Sequence, residues 1–280
     1  MTSTSEPDTL DRNPNHDSPP AQTHHLLELD DVSCEYKLGG GGRFRAVDGV
    51  SLHLGRSEVL GLVGESGCGK STLAKLICGL EKPAGGAITF ESHPVKPLGL
   101  GKRPKDLLGI QMVFQNPYAS LNPRRRIRDQ LSDALALDPG GTWTVESLLE
   151  AVDLPLDSAQ RYSHSFSGGQ RQRIAIARAL AAGPKVLVGD EPIASLDAFL
   201  QARIARMMRD LAIDSGASMI FISHDLSVVR DIADRVAVME AGRIVEVGST
   251  EQIWNDPQHA YTQKLLAAIP RVDGKGIIPG

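Results

Sequence analysis

Three cysteines in 280 residues, Cys34, Cys68 and Cys78, show no paired spacing. Reduced thiols are therefore expected, with neither a disulfide framework nor a metal cluster. A basic excess is also missing. Thirty Lys and Arg against 34 Asp and Glu leave a formal net charge of −4, so no nucleic-acid partner is expected. No apolar run approaches the ~18 residues that span a bilayer, and any membrane association is expected to go through a partner or a surface. The N-terminus lacks a basic-then-apolar signal stretch, which implies a chain that stays in the cytosol. No internal repeat is found. The remaining composition, 41% hydrophobic and 23% charged, is that of an ordinary folded protein long enough to bury a large core.

Residues 1–24 are polar and rich in Pro, Ser, Thr and Asp, and a disordered tail is expected there. His24-His25 at its edge reads as solvated rather than metal-binding. Short β segments (Leu27-Glu28-Leu29, Val50 to Leu54) follow, broken by Gly39 to Gly42. No helix follows that glycine run, so it reads as a hairpin tip rather than an anion loop. Ala87 to Phe90 and Ile110 to Phe114 read as strands. Between residues 116 and 166, Pro117, Pro123 and Pro139-Gly140-Gly141 punctuate two helical stretches near 126–137 and 144–152,, which reads as a helical insertion. Strand and helix then alternate: Val186-Leu187-Val188, a long helix near 198–214, Met219 to Ile222, a short helix from 226, and Val236 to Met239. That alternation implies an α/β fold with a largely parallel sheet. The domain is expected to span 25–270, with a tail over 271–280.

One stretch specifies chemistry. Gly64-Glu65-Ser66-Gly67-Cys68-Gly69-Lys70-Ser71-Thr72 satisfies G-x-x-x-x-G-K-[ST], between the apolar run Val59 to Val63 and a helical pattern at Leu73, Leu76 and Ile77,. Glycines let successive backbone N–H groups curl around an anion, and the following helix adds its positive end. Lys70 is expected to place a cation on the outer phosphates of a nucleotide, and the Ser71 hydroxyl to ligate Mg²⁺. A second apolar strand, Val186 to Gly189, ends in Asp190 and Glu191. Carboxylates at a strand's C-terminal end lie at the ligand edge of a parallel sheet. Asp190 suits Mg²⁺, and Glu191 is placed to polarise an attacking water as general base.

Upstream lies Phe166-Ser167-Gly168-Gly169-Gln170. Ser167 is a good helix N-cap, but capping leaves two first-turn glycines unexplained, since they cost helix stability. Here the sequence resembles the ABC-transporter ATPase family, whose signature is Leu-Ser-Gly-Gly-Gln, with Phe166 at the leading position. The resemblance covers about residues 26–270. It implies a P-loop NTPase of ABC type, with a RecA-like mixed sheet core, an antiparallel β subdomain and an inserted helical subdomain. It also implies that Ser167, Gly168, Gly169 and Gln170 close over the nucleotide held by an opposite subunit.

Other positions resemble further landmarks of that family. Gln115 matches the glutamine that touches Mg²⁺ and senses the transmembrane partner, and Asp197 in Ser195-Leu196-Asp197 matches the D-loop that crosses the dimer. His224 matches the switch histidine that contacts the γ-phosphate. Tyr36, after the first strand segment, matches the aromatic that stacks on adenine, with Phe44 as fallback. Val113 to Arg124, Ala46 to Ser51, and the late His259-Ala260-Tyr261-Thr262 and Ala268 to Arg271 resemble the oligopeptide, dipeptide and nickel importer subfamily. Many of those relatives continue past that last segment into a cysteine-bearing tail, where some carry an iron–sulfur cluster; this sequence stops at Gly280 without it, so no cluster is expected here. Arg124-Arg125-Arg126 with Arg128 is a local basic run that could meet lipid headgroups or a permease loop, or simply be solvated.

The resemblance thus implies an ATPase subunit of an importer of peptides or a similar small solute, using ATP and Mg²⁺ at the cytoplasmic face of the cell membrane. Its expected partners are two transmembrane permease subunits, a second ATPase subunit that is a copy or a paralogue, and, indirectly, an extracytoplasmic solute-binding protein. The alternative is a non-transport ABC-type ATPase acting as a soluble switch, although long coiled-coil insertions and tandem nucleotide domains are missing. A metabolic P-loop kinase would lack Ser167 to Gln170 and would need a substrate lid.

Overall fold

The computed structural model describes residues 25–99 and 103–269. The expected tails over 1–24, including His24, and over 271–280 lie outside them.

Strands β1 (Leu27–Lys37) and β2 (Arg43–Leu54) form an antiparallel hairpin. Its tip is the glycine run, where the Leu38 N–H donates to the Gly42 carbonyl at 2.8 Å. Both strands run further than the short apolar segments that mark them in the sequence. After β3 (Val59–Val63) and α1 (Lys70–Ile77), β4 (Gly85–Phe90) pairs with the other edge of β1 and β5 (His93–Pro94) with β4. The resulting antiparallel sheet has the order β2-β1-β4-β5.

The second sheet takes β3, β6 (Ile110–Val113), β7 (Val186–Asp190), β8 (Ser218–Ile222), β9 (Arg235–Glu240) and β10 (Arg243–Ser249) in the order β10-β9-β3-β8-β7-β6. The pairings from β9 to β6 are parallel, and β10 is antiparallel to β9, so the sheet is mixed. The expected α/β class holds.

A period of two distributes the parallel strands' side chains between two cores. Leu60, Leu62, Ile220 and Ile222 point to the side where α1 contributes Leu73, Leu76 and Ile77 beneath Leu27, Leu29 and Leu54 of the antiparallel sheet. Val59, Val63, Met219 and Phe221 point to the other side. There α5 (Gly168–Ala181), α6 (Ala198–Asp214) and α7 (Leu226–Ile232) supply Ile174, Ile204, Met208 and Val229. Each such buried aliphatic side chain contributes about 1.5–3 kcal/mol, so α1 is clamped between two sheets. That clamp holds the loop preceding α1 in place.

Between β6 and α5 the chain runs through α2 (Pro117–Ser120), α3 (Ile127–Leu135), α4 (Val145–Ala151) and short 3₁₀ turns at Leu156–Gln160 and Ser163–Ser165. Thr144 and Ser147 cap α4 reciprocally, the arrangement that satisfies orphan N–H groups at a helix start. After β10 come α8 (Thr250–Asn255) and α9 (Ala260–Ala267), neither of which shows a clear periodic signal in the sequence. No helix among the described residues is long and apolar enough to cross a membrane. All three cysteines are free, and burial pushes the Cys78 thiol up to about 12, leaving it neutral at ordinary pH.

Exposed ion pairs join the two sheets, among them one at the β4 and β7 ends. Lys185, just before β7, lies 2.6 Å from Glu91, just after β4. That ammonium holds the Glu91 carboxyl below its ordinary value; burial opposes the shift, and Arg56 adds to it. A carboxyl whose folded pKa is depressed stabilises the fold above its unfolded pKa of about 4.3, and the contribution fades as pH falls through the lower folded value. Lys185→Met is therefore expected to cost ~0.2–1 kcal/mol at pH 7 and nothing once Glu91 is protonated. Melting curves of both proteins at pH 7 and at about pH 2, below both pKa values, check this; an equal difference at both pH values would show that the pair is not ionic in effect.

Candidate active site

The loop from Gly64 to Gly69 leaves β3 and enters α1 in a shape its glycines alone permit. Gly69 has φ +112°, and a Cβ there would lie 2.2 Å from the Ala46 carbonyl oxygen of β2. A Cβ on Gly64 would lie 2.1 Å from the Met239 carbonyl oxygen of β9. Neither approach is possible for any other residue. The Lys70 side chain folds back into this curl, only 4% exposed. Its ammonium donates to the carbonyls of Gly64 and Glu65, each at 2.8 Å, with the Cys68 Sγ at 3.8 Å. A buried ammonium, held in place by these two carbonyls beside the N-terminal end of α1, can attract anionic oxygens.

Beside it, the Ser71 hydroxyl donates to Asp190 Oδ1 at 2.7 Å. Burial pushes the Asp190 carboxyl above its ordinary value; the Ser71 hydroxyl opposes that shift, and the neighbouring Glu191 charge adds to it. A hydroxyl and a carboxylate converging here are hard oxygen donors of the kind a divalent cation takes. The next residue, Glu191, adopts φ +46°, a left-handed conformation costing of order 1 kcal/mol for a side chain of this kind. Its N–H donates to the Ile222 carbonyl of β8 at 3.1 Å, which holds the strained turn. Glu191 Oε2 is thereby placed 3.3 Å from His224 Nδ1 and 3.5 Å from Gln115 Nε2. Three side chains read separately in the sequence thus meet at one carboxylate.

Phosphate loop and carboxylate line one cleft of about 250 Å³, together with Tyr36, Phe44, Ala46, Thr72 and Gln115. Tyr36 does not follow the first strand, as the sequence reading placed it, but lies within β1 directly opposite Phe44 of β2. The strand continues through Asp30 and Asp31 because a register shift between Leu29 and Val32 absorbs the irregularity. Burial raises the Tyr36 hydroxyl pKa, against a hydrogen bond with Thr72, and a further bond with Glu81 reinforces it. The ring is thus tied at the mouth, while Phe44 is half exposed.

Ser167, Gly168, Gly169, Gln170 and Asp197 do not line that cleft. Ser167 and Gln170 form a capping box at the start of α5, with the Ser167 N–H donating to Gln170 Oε1 at 3.0 Å. The two glycines that capping leaves unexplained differ in their surroundings. A Cβ on Gly169 would lie 2.9 Å from the tip of the Leu200 side chain of α6, which would have to shift to admit it. Gly168 has nothing within 4 Å of that position. Asp197 caps α6, accepting from the Leu200 N–H at 3.0 Å. Two residues on, Phe199 is 82% exposed.

Some contributors carry no signal in the sequence. The carbonyls of Ala46 and Met239, which back the loop, could be any residue's. The hydroxyl of Tyr261 in α9 accepts from the Glu65 N–H at 3.0 Å across 196 positions; only the subfamily resemblance at 259–262 draws attention to that stretch.

Comparison with known proteins places the arrangement. Residues 47–194 match the family model described as ABC transporter. Residues 245–279 match the one described as oligopeptide/dipeptide transporter, C-terminal region. The dipeptide transport ATP-binding protein DppF of Haemophilus influenzae is 47% identical over 233 residues, covering 81% of this chain and 71% of its own. The oligopeptide transport ATP-binding protein AppF of Bacillus subtilis is 42% identical over 270 residues, with 92% and 82% covered. Among solved structures, a dimeric post-hydrolysis state of the ATP-binding cassette MJ0796 bound to ADP and Pi superposes with a TM-score of 0.70 at 26% identity. It covers 80% of this chain and 99% of that one. A family model over more than half of the chain and relatives of this closeness give one answer: the chain belongs to the ABC transporter family, as an ATP-binding subunit that hydrolyses ATP.

Proposed function

We propose that this subunit powers the import of peptides, or a similar small solute, through two membrane permease subunits. It would work at the cytoplasmic face of the cell membrane with a second ATPase subunit, a copy or a paralogue, and indirectly with an extracytoplasmic solute-binding protein. The relatives named for dipeptide and oligopeptide transport, and the match at residues 245–279, support that solute class. The domain frame proposed is 25–270, with the helical insertion at about 116–166.

The observation that carries the chemistry is Glu191 Oε2 facing both His224 and Gln115 at the edge of the phosphate-loop cleft. In this reading, residues 64–72 form the phosphate site, where the backbone N–H groups after Glu65 and the Lys70 ammonium bind the phosphates of ATP, and Tyr36 stacks on adenine. Ser71 and Asp190, with Gln115, would hold Mg²⁺, which would supply positive charge against the charge building on the phosphates. Glu191 accepts the proton of the attacking water, and His224 orients that carboxylate and faces the γ-phosphate. Ser167, Gly168, Gly169 and Gln170 would complete the nucleotide site of the opposite ATPase subunit, with exposed Gly168 offering its backbone there. Asp197 and the exposed Phe199 would lie on the same dimer face.

The test is to express the Glu191→Gln form in its host, hold it closed with ATP and Mg²⁺, and identify what copurifies from solubilised membranes. Multi-span permease subunits, with or without a second ATPase, are the expected result. Recovery only in the soluble fraction would sink the transporter reading and leave an ATP-driven soluble switch.

A further inference from the structure

The peptide plane joining Gly64 to Glu65 is held at both ends. On one side the Lys70 ammonium donates to the Gly64 carbonyl at 2.8 Å. On the other the Glu65 N–H donates to the Tyr261 hydroxyl at 3.0 Å. The Tyr261 ring is 9% exposed and packed in the core beneath the parallel sheet. Its hydroxyl therefore cannot move without moving α9.

That helix is itself seated. The Glu246 carboxylate of β10 accepts the N–H groups of Gln258 at 2.8 Å and His259 at 3.0 Å. His259 Nδ1 then accepts the Tyr261 N–H at 3.2 Å as the helix cap. One to two turns on, Leu265, Ala268 and Ile269 line a cleft of about 500 Å³ with His224, Asp225 and Leu226. The C-terminal helix thus reaches from the phosphate loop to the loop that carries His224.

We propose that Tyr261 is a positioning residue for ATP binding: its hydroxyl and the Lys70 ammonium together fix the Gly64–Glu65 peptide plane, so α9 sets the loop shape that receives the phosphates. The proposal rests on the reading of residues 64–72 as the ATP phosphate site. A hydroxyl accepting a part-buried N–H keeps that group satisfied; without it the plane gains by turning toward another partner. Turning the plane also moves the Gly64 carbonyl away from Lys70, whose place in the curl then changes. Phosphate affinity is lost by disorder of the receptor rather than by loss of a contact to ATP.

Tyr261→Phe in the full chain removes only the hydroxyl. Equilibrium titration with a fluorescent ATP analogue and steady-state phosphate release give Kd, KM and kcat. Kd and KM are expected to rise together by five- to tenfold with kcat within twofold of wild type. A purely structural loss would lower the active fraction, hence apparent kcat, and leave KM unchanged; unchanged Kd and KM overturn the proposal. Glu246→Ala, which unseats α9 with Tyr261 intact, is expected to raise Kd in the same direction and serves if the first variant fails to fold; an unchanged Kd there likewise counts against it. Lys70→Met, run alongside, keeps the two readings apart. If Lys70→Met weakens binding and Tyr261→Phe does not, the positioning role fails while the phosphate site stands. If Lys70→Met binds ATP normally, the phosphate-site reading fails first.

Discussion

Glu191→Gln keeps ATP binding within about twofold of wild type and lowers turnover by roughly 10²–10⁴, the range a positioned general base supplies. The amide has the shape of the carboxylate and can still accept one hydrogen bond from His224, 3.3 Å away. It cannot take a proton from water. The backbone at 191 sits at φ +46° in wild type and is held by the Ile222 carbonyl, so the exchange adds no new strain. The phosphate loop and its Lys70 are untouched, which is why binding survives. Phosphate release under saturating ATP and Mg²⁺, beside an equilibrium binding titration, separates the two quantities. Hydrolysis at the wild-type rate would remove Glu191 from the role.

Lys70→Met strikes the other half of the chemistry. Methionine fills most of the space of the aliphatic stem, so the packing around a side chain only 4% exposed is largely kept. What goes is the ammonium that the Gly64 and Glu65 carbonyls and the Cys68 thiol surround in the curl. Truncating one partner of a buried, hydrogen-bonded charge pair costs about 2–5 kcal/mol, hence ATP binding weakened from roughly thirtyfold to a few thousandfold. Titration with a nucleotide analogue measures it, with a melting curve to show that the variant is folded. Affinity within threefold of wild type would mean that the phosphates do not sit against residues 64–72.

How much of this was legible before the structure depends on distance along the chain. The phosphate loop was readable because its strand, glycines, lysine and helix are adjacent, and their spacing encodes the local geometry. The long helix near 198–214 was readable for a similar reason: Asp197 caps its first turn, and that capping is a property of neighbours. The strands β3, β7 and β8 announce themselves as apolar runs buried on both faces,.

β1 was harder. Its apolar start is followed by Asp30 and Asp31, and only pairing with β2 on one edge and β4 on the other holds the strand extended as far as Tyr36. Gly169 faces the Leu200 side chain of another helix while Gly168 faces open space, a difference that a sequence motif cannot show. The helix α9 carries no strong period of its own, and its importance lies in one hydroxyl.

By itself the sequence determined which chemical groups exist and which local shapes their neighbours allow: a phosphate loop after β3, carboxylates after β7, a capped glycine turn at Ser167. Propensities, caps and period-two patterns act over a few residues, so they can be read in order along the chain. Only the tertiary structure decided that Glu191 adopts a left-handed turn facing His224 and Gln115, that Ala46 and Met239 back the phosphate loop, and that Tyr261 reaches Glu65. Those arrangements join residues tens to nearly two hundred positions apart. They exist because burying two faces of one sheet brings distant segments together, and no local preference of any one segment encodes its partner.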